Sequence, residues 1–238
     1  MRKPKYKRIL LKISGEAMKG KRDYGIDPEY VSYLAEEIKE VYKTGAQIAV
    51  VVGAGNIFRG VAGSKHGMDR ATADYMGMLA TIFNAMALQE ALERLKIRTR
   101  LQTAIEVKQV AEMFIRRKAL RHLEKGRVVI LGGGTGLPFI TTDTCAAMRG
   151  LELGCEAVFK ATKVDGVYDD DPEKNKRAKK LKSLTLDQAF RDDKIKIMDK
   201  SALSLCRDNN LHIVVFKLNQ KGNFKKALLG EKVGTVIC

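Results

Sequence analysis

Apolar positions follow two rhythms along the chain. Short β-branched runs at Arg8–Ile13, Ile48–Val52, Thr99–Gln102, Arg127–Leu131, Ala157–Ala161, His212–Phe216 and Thr235–Ile237 predict strands. Several are apolar on consecutive positions, as strands buried on both faces must be. Between them the apolar residues recur at helical spacing. Asp27-Pro28 supplies an N-cap and a first-turn proline for a helix through Lys43, ended by Gly45. Asp69–Leu95 is long, with a stripe of Met76, Leu79, Phe83, Met86 and Leu92 expected to face the core. Lys108–Lys125, Asp143–Leu153 and Asp199–Asn209 follow the same rule. Strands alternating with helices predict right-handed βαβ units. The expected fold is therefore α/β: a three-layer αβα sandwich with a mainly parallel central sheet. With no repeat or linker in view, residues 1–238 read as a single domain of two lobes, about 1–150 and 151–238, with the seam near Gly150–Ala157.

Composition narrows the class. The chain is 45% hydrophobic and 30% charged, an ordinary globular balance. No apolar run approaches the roughly 18–20 residues of a membrane span. The first one, Ile9–Ile13, is too short and too charged at Lys12 for a signal-peptide core, so a cytosolic protein is expected. Cys145, Cys155, Cys206 and Cys238 form no C-x-x-C pair, and His66, His122 and His212 are scattered. Neither a disulfide frame nor a protein-held transition metal is expected. The net charge of +16 admits two readings: a nucleic-acid partner, or a pocket for highly anionic small substrates. The dense run Lys174–Lys182 reads as a solvated surface loop.

The candidate chemistry lies where strands end, since ligands of open parallel sheets bind beyond the carboxyl ends of the strands. The first strand ends Lys12-Ile13-Ser14-Gly15, the second Gly53-Ala54-Gly55-Asn56-Ile57-Phe58-Arg59-Gly60, and a central one Gly132-Gly133-Gly134-Thr135-Gly136-Leu137-Pro138-Phe139-Ile140-Thr141-Thr142-Asp143. Glycine lets backbone N–H groups close around phosphate, and three such turns on one sheet edge suggest more than one phosphate-bearing ligand. A single turn could be steric alone. Lys12 interrupts an apolar strand, where a charge is costly unless it meets an anion or snorkels to the strand end. Arg59 can fork onto phosphate oxygens or form a surface ion pair. Gly15–Arg22 nearly matches a P-loop, but Arg22 stands where the magnesium-holding hydroxyl belongs. Gly53-Ala54-Gly55 lacks the third glycine of a dinucleotide fingerprint.

Five segments in this order carry a resemblance: Lys12–Ala17, Gly53–Gly60, Asp74–Thr81, Thr135–Asp143 and Lys160–Pro172. The chain resembles the amino acid kinase family from Arg8 to Ile237, and within it the bacterial UMP kinase branch, to which Asp74–Thr81 and the Thr-Gly-x-Pro-Phe loop point. The resemblance implies phosphorylation of UMP by ATP with Mg2+ carried by the nucleotide, a step of pyrimidine biosynthesis. It implies that Lys12, Ile13, Ser14 and Gly15 hold the ATP phosphates, with Gly55, Arg59, Thr162, Tyr168 and Asp171 completing the ATP site. Ala54, Asp74, Thr135, Gly136, Leu137, Pro138, Phe139, Ile140, Thr141 and Thr142 would bind UMP, with Asp74 on the ribose. Lys12, Arg59 and Asp143 would carry catalysis, Asp143 orienting Lys12 or the metal. Asp199 also matches an acidic position of the family but reads better as a helix N-cap. Ala54 and Leu137 depart from the family's usual Gly and Asn. The resemblance further implies a homohexamer with UTP as inhibitor. Residues Gly20–Gly25 fall in the loop that the family ties to GTP activation.

No general base is needed, because a UMP phosphate is mostly dianionic at neutral pH. The rival readings are a carbamate- or acetylglutamate-kinase-like enzyme, whose acceptors lack a ribose, and a basic nucleic-acid-binding protein. The latter should show an aromatic-basic surface, yet aromatics are only 6% and Trp is absent, so no nucleic acid and no membrane is required as partner.

Overall fold

The computed structural model describes residues 3–58, 60, 67–170, 175, 177–195 and 197–238. Its strands are β1 (Arg8–Ile13), β2 (Gln47–Val52), β3 (Thr99–Thr103), β4 (Glu112–Met113), β5 (Val128–Gly132), β6 (Ala157–Thr162), β7 (Val167–Tyr168), β8 (Lys180–Leu181), β9 (Ser183–Leu184), β10 (His212–Lys217) and β11 (Thr235–Ile237). Its helices are α1 (Gly15–Met18), α2 (Pro28–Tyr42), α3 (Arg70–Arg94), α4 (Arg116–Glu124), α5 (Thr142–Glu152), α6 (Leu186–Arg191), α7 (Lys200–Asp208) and α8 (Asn223–Leu228).

Nine strands form one sheet in the order β4-β3-β5-β2-β1-β6-β10-β11-β9, with β1 at its centre. Every pairing is parallel except β10 with β11. Because side chains alternate across a strand, the odd positions of β1 (Ile9, Leu11, Ile13) enter a core with α2, α3 and α8. Leu10 enters a second core, on the other face, with α4, α5, α6 and α7. Helices thus cover both faces, the three-layer arrangement that the alternating pattern predicts. The seven predicted strands all form, within one residue at each end.

Three expectations need correction. Lys108–Lys125 is not one helix: α4 starts only at Arg116, and Glu112–Met113 instead adds a parallel edge strand to β3. The reason is burial. Val110, Met113 and Ile115 stay exposed and make no common stripe, while Glu112 finds Gln102 and His122, both at 3.0 Å, in the extended form. Only Ala119 and Leu123, one turn apart, give α4 a buried face.

The stripe on α3 also faces the other way. Leu79 is 50% and Phe83 61% exposed, and Met76 and Met86 lie open beside them; of the stripe only Leu92 is buried. The helix rests on Ala73, Ile82, Ala85, Leu88 and Ala91, and the small alanines let it lie close to the sheet. Finally, the basic run after residue 174 contains more than loop, since Lys180–Leu181 pairs antiparallel with Val167–Tyr168. No helix of the described residues is long and apolar enough to cross a membrane.

Candidate functional site

The parallel register places Lys12 of β1 beside Lys160 of β6. Both project to the face covered by α5, whose first turn carries Asp143. Asp143 Oδ1 lies 2.7 Å from Lys12 Nζ and Oδ2 lies 2.7 Å from Lys160 Nζ. Lys160 also donates to the Ile197 carbonyl. All three side chains are nearly removed from water. Burial pushes the Asp143 carboxyl up, but the two lysines outweigh it and hold the group below its ordinary value. Burial lowers Lys160, and its neighbour Asp143 only partly offsets that. The arrangement is a carboxylate gripped by two cations at the carboxyl ends of two central strands.

Asp143 is fixed from behind. Thr141 caps α5 by accepting from Thr144 N–H at 3.0 Å. Thr141 and Thr144 hydroxyls in turn donate to Asp199, the latter at 2.7 Å. Asp199 is the N-cap of α7, as its position before that helix predicts, and accepts from Ala202 N–H at 3.0 Å.

The first two glycine turns touch each other. A Cβ on Gly15 would sit 2.7 Å from the backbone N of Ala54 and closer still to Gly55 N, so no larger residue fits that crossing. Gly133, with φ +75°, turns the third loop, and its N–H donates to Thr81 Oγ1 at 2.8 Å. Helix α3 holds the second and third loops from one face. Asn84 donates to the Gly53 carbonyl at 2.7 Å and exchanges hydrogen bonds with Asn56, while Asp74 accepts from Phe139 N–H at 2.8 Å. Phe139 carries φ +65°, an uncommon conformation for a bulky residue, and the Asp74 bond pins it there. Arg70 pairs with Asp74 at 2.9 Å and lies over the Phe139 ring at 5.5 Å.

Two cavities open beside this centre. One of about 770 Å³ is bounded by Tyr30 of α2, Lys21, Ala161, Thr162, Lys163, Leu218 and Asn219. The other, about 540 Å³, is bounded by Gly53, Ala54, Gly55, Asp74, Thr81, Ile140, Thr141 and Thr142. Lys12, Ser14 and Glu16 belong to both walls. The two spaces meet at Lys12.

Of the sequence-proposed residues, the fold gathers Lys12, Ser14, Gly15, Ala54, Gly55, Asp74, Ile140, Thr141 and Thr142 on the smaller cavity, and Lys12, Ser14 and Thr162 on the larger. The Ile13 side chain lies in the core, leaving its backbone, whose carbonyl accepts from Gly53 N–H at 2.9 Å. Tyr168 donates to Asp165 at 2.6 Å and lies outside both linings, as do Thr135 through Phe139. Leu137 and Phe139 are largely exposed. Arg59 and Asp171 lie outside the described residues.

Lys160, Arg70, Thr81, Asn84 and Asn56 had no role in the sequence reading. A signal existed on the helix: Asp74, Thr81 and Asn84 fall at i, i+7 and i+10 on a single face, and Thr81 and Asn84 interrupt its otherwise apolar middle stretch. Lys160 repeats the anomaly of Lys12, a charge inside an apolar strand.

The model of the amino acid kinase family matches residues 7–217. The chain is similar to the crystal structure of UMP kinase from Bacillus anthracis, with 39% identity and a TM-score of 0.94 over 98% of this chain and 96% of that one. UMP kinase from Ureaplasma parvum matches with 36% identity and a TM-score of 0.91, covering 100% and 99%. Uridylate kinase from Archaeoglobus fulgidus matches with 28% identity and a TM-score of 0.76, covering 97% and 99%.

Proposed function

Since the chain belongs to the amino acid kinase family, we propose that it is a UMP kinase, transferring the γ-phosphoryl group of ATP to UMP. The observation that carries this reading is the pair of cavities meeting at a buried lysine. Their sizes suit the assignment: the larger takes ATP, the smaller UMP, and the phosphates of both converge on Lys12. On this reading the acceptor cavity is built within the first lobe, about 1–150, while the donor cavity is shared between residues 12–30 of that lobe and residues 160–163 and 218–219 of the second, about 151–238.

The chemistry follows from charge. A UMP phosphate oxygen attacks the γ-phosphorus as the bond to the bridging oxygen breaks, and ADP leaves. Two unit charges about 4 Å apart repel by about 4 kcal/mol at an effective dielectric of ~20, and several such pairs must meet. Lys12 and Lys160 supply fixed positive charge, and glycine-turn amides and the start of α5 supply N–H groups. Asp143 keeps the two ammonium groups close together before substrate arrives. Catalysis here is positioning and neutralisation, without a nucleophilic side chain.

Mg2+ would supply positive charge to the donor phosphates when bound. The Asp143 oxygens each already face a lysine, and the described residues hold no group of three His, Cys, Asp or Glu side chains suited to a metal. That donor set fits a hard cation carried on phosphates and water, with Glu16 on both cavity walls and Asp143 paired to Lys12.

Asp74 is assigned to the UMP ribose. Asp74→Ala should raise the KM for UMP roughly tenfold or more, a hydrogen bond to a charged group being worth about 1.5–3 kcal/mol, and leave the KM for ATP unchanged. Steady-state kinetics with each substrate varied decides it; equal effects on both would remove the ribose contact.

The same reading assigns the enzyme to the cytoplasm, to pyrimidine nucleotide synthesis, and to a homo-oligomer of hexameric type with UTP as inhibitor. The support for self-association is the exposed apolar face of α3, where Tyr75, Met76, Leu79, Phe83 and Met86 adjoin. Cys145, Cys155 and Cys206 are buried free thiols, which suits a reducing compartment. The function itself is tested by ADP release with ATP across UMP, CMP, dTMP, carbamate and acetylglutamate. Turnover with UMP far above the others is expected. Preference for carbamate or acetylglutamate would overturn the assignment.

A further inference from the structure

Helix α2 touches the larger cavity with its first turn, where Asp27, Glu29 and Tyr30 form part of the wall. Farther along, its buried face grips the loop that follows β10. Tyr33 Oη donates to the Leu218 carbonyl at 2.8 Å. One turn on, Glu37 accepts from Gly222 N–H through both oxygens, at 2.9 and 3.0 Å. The loop closes on itself where Asn223 Nδ2 donates to the Lys217 carbonyl at 3.1 Å. Leu218 and Asn219, between these anchors, form the cavity wall.

Nothing about helix formation calls for Glu37. It is 4% exposed, on the apolar side of an amphipathic helix where Leu34, Ile38 and Val41 pack. A buried carboxylate is costly unless fully hydrogen-bonded, and this one is satisfied by backbone from a segment 185 residues away. The segment in turn lacks its own means: Gly222, at φ +82°, begins α8 with no side-chain cap. Burial raises the Glu37 carboxyl, although Gly222 N–H works against that. Burial, then the Glu37 charge, push the Tyr33 hydroxyl up to about 12, so it remains a donor at any working pH.

We propose that Tyr33 and Glu37 are positioning residues for the phosphoryl donor, clamping Leu218–Gly222 so that Leu218 and Asn219 form a fixed wall of the donor cavity. The proposal rests on reading the larger cavity as the ATP site. Neither residue touches the reacting groups. Their effect is confined to one substrate because the smaller cavity contains nothing from this loop.

The test is a split between Michaelis constants. Tyr33→Phe deletes one hydroxyl and keeps the half-buried ring. It should raise the KM for ATP roughly three- to tenfold, a net hydrogen bond being worth about 1 kcal/mol, with kcat and the KM for UMP unchanged. Glu37→Ala should act in the same direction, and Glu37→Gln should recover most of the loss, since its amide oxygen still accepts from Gly222. An unchanged KM for ATP in Tyr33→Phe, or equal rises for both substrates, overturns the clamp. If Glu37→Ala does not fold, Tyr33→Phe alone decides. Photolabelling of the wild-type enzyme with an azido-ATP separates the two levels. Label on residues 16–30, 160–163 or 218–219 supports the donor assignment, so that a silent Tyr33→Phe would then sink only the clamp. Label elsewhere sinks the donor assignment and the clamp with it.

Discussion

Lys12→Ala is expected to lower kcat for UDP formation by roughly 10²–10³-fold, the range seen when one preorganised charge-stabilising group is removed. Lys12 forms part of both cavity walls, so on the proposed assignment its ammonium group would face each polyanion and the gap between them. Its loss should affect ATP binding far less, because Lys21, Lys160 and Lys163 remain around the donor space. Turnover and calorimetric ATP affinity, measured on the same preparation, separate the two effects. A variant with unimpaired turnover would exclude Lys12 from the reaction.

Asp143→Asn should damage the fold as well as the chemistry. It removes the anion that two buried ammonium groups share, and breaking such a pair costs about 3–5 kcal/mol because the charges left behind are uncompensated. For a chain of this length that is a fall in Tm of roughly 6–20 °C. The sign with pH follows from the direction of the shift. The folded-state pKa of Asp143 is depressed below 3.8, so the stabilisation is present above that value and fades as pH falls through the lower, folded one. Chemical denaturation from pH 7 to pH 2 should show the wild type losing this advantage at the acid end, with the two proteins converging there. Parallel curves would assign the stability to other groups.

Much of the architecture was legible because strand signals were strong: β1, β2, β5, β6 and β10 are apolar on both faces and could hardly be anything but interior parallel strands. Caps were equally readable. Asp27 and Asp199 each accept from backbone N–H groups at the start of the helix they precede. The short pieces escaped detection: β4, β7, β8 and β9 are two residues each, with stability that comes from partners rather than local pattern. The α3 stripe misled for a different reason. The helix is apolar nearly all round, so periodicity alone does not tell which side meets the sheet; alanines do, because small side chains permit close approach.

At the site, the residues visible in sequence were those that broke a local rule. Lys12 interrupted a strand and Gly15 and Gly133 marked turns. Residues that support others were hidden, because their partners are distant in the chain. Asn84 meets Gly53, Thr81 meets Gly133, and Glu37 meets Gly222 across 31, 52 and 185 positions. Lys160 was within reach of the same logic that found Lys12, but one odd lysine suggested one anion partner, not a shared carboxylate.

The pairing of Lys12 with Lys160 across adjacent parallel strands makes the sheet itself a ruler. Neighbouring strands lie ≈ 4.7–4.9 Å apart, and that interval is set by the most buried hydrogen bonds in the molecule rather than by any loop. A slip of one residue would swing a lysine through the sheet into the opposite layer. Loops around the cleft can therefore breathe with each turnover while the strand positions that carry the two lysines keep their spacing.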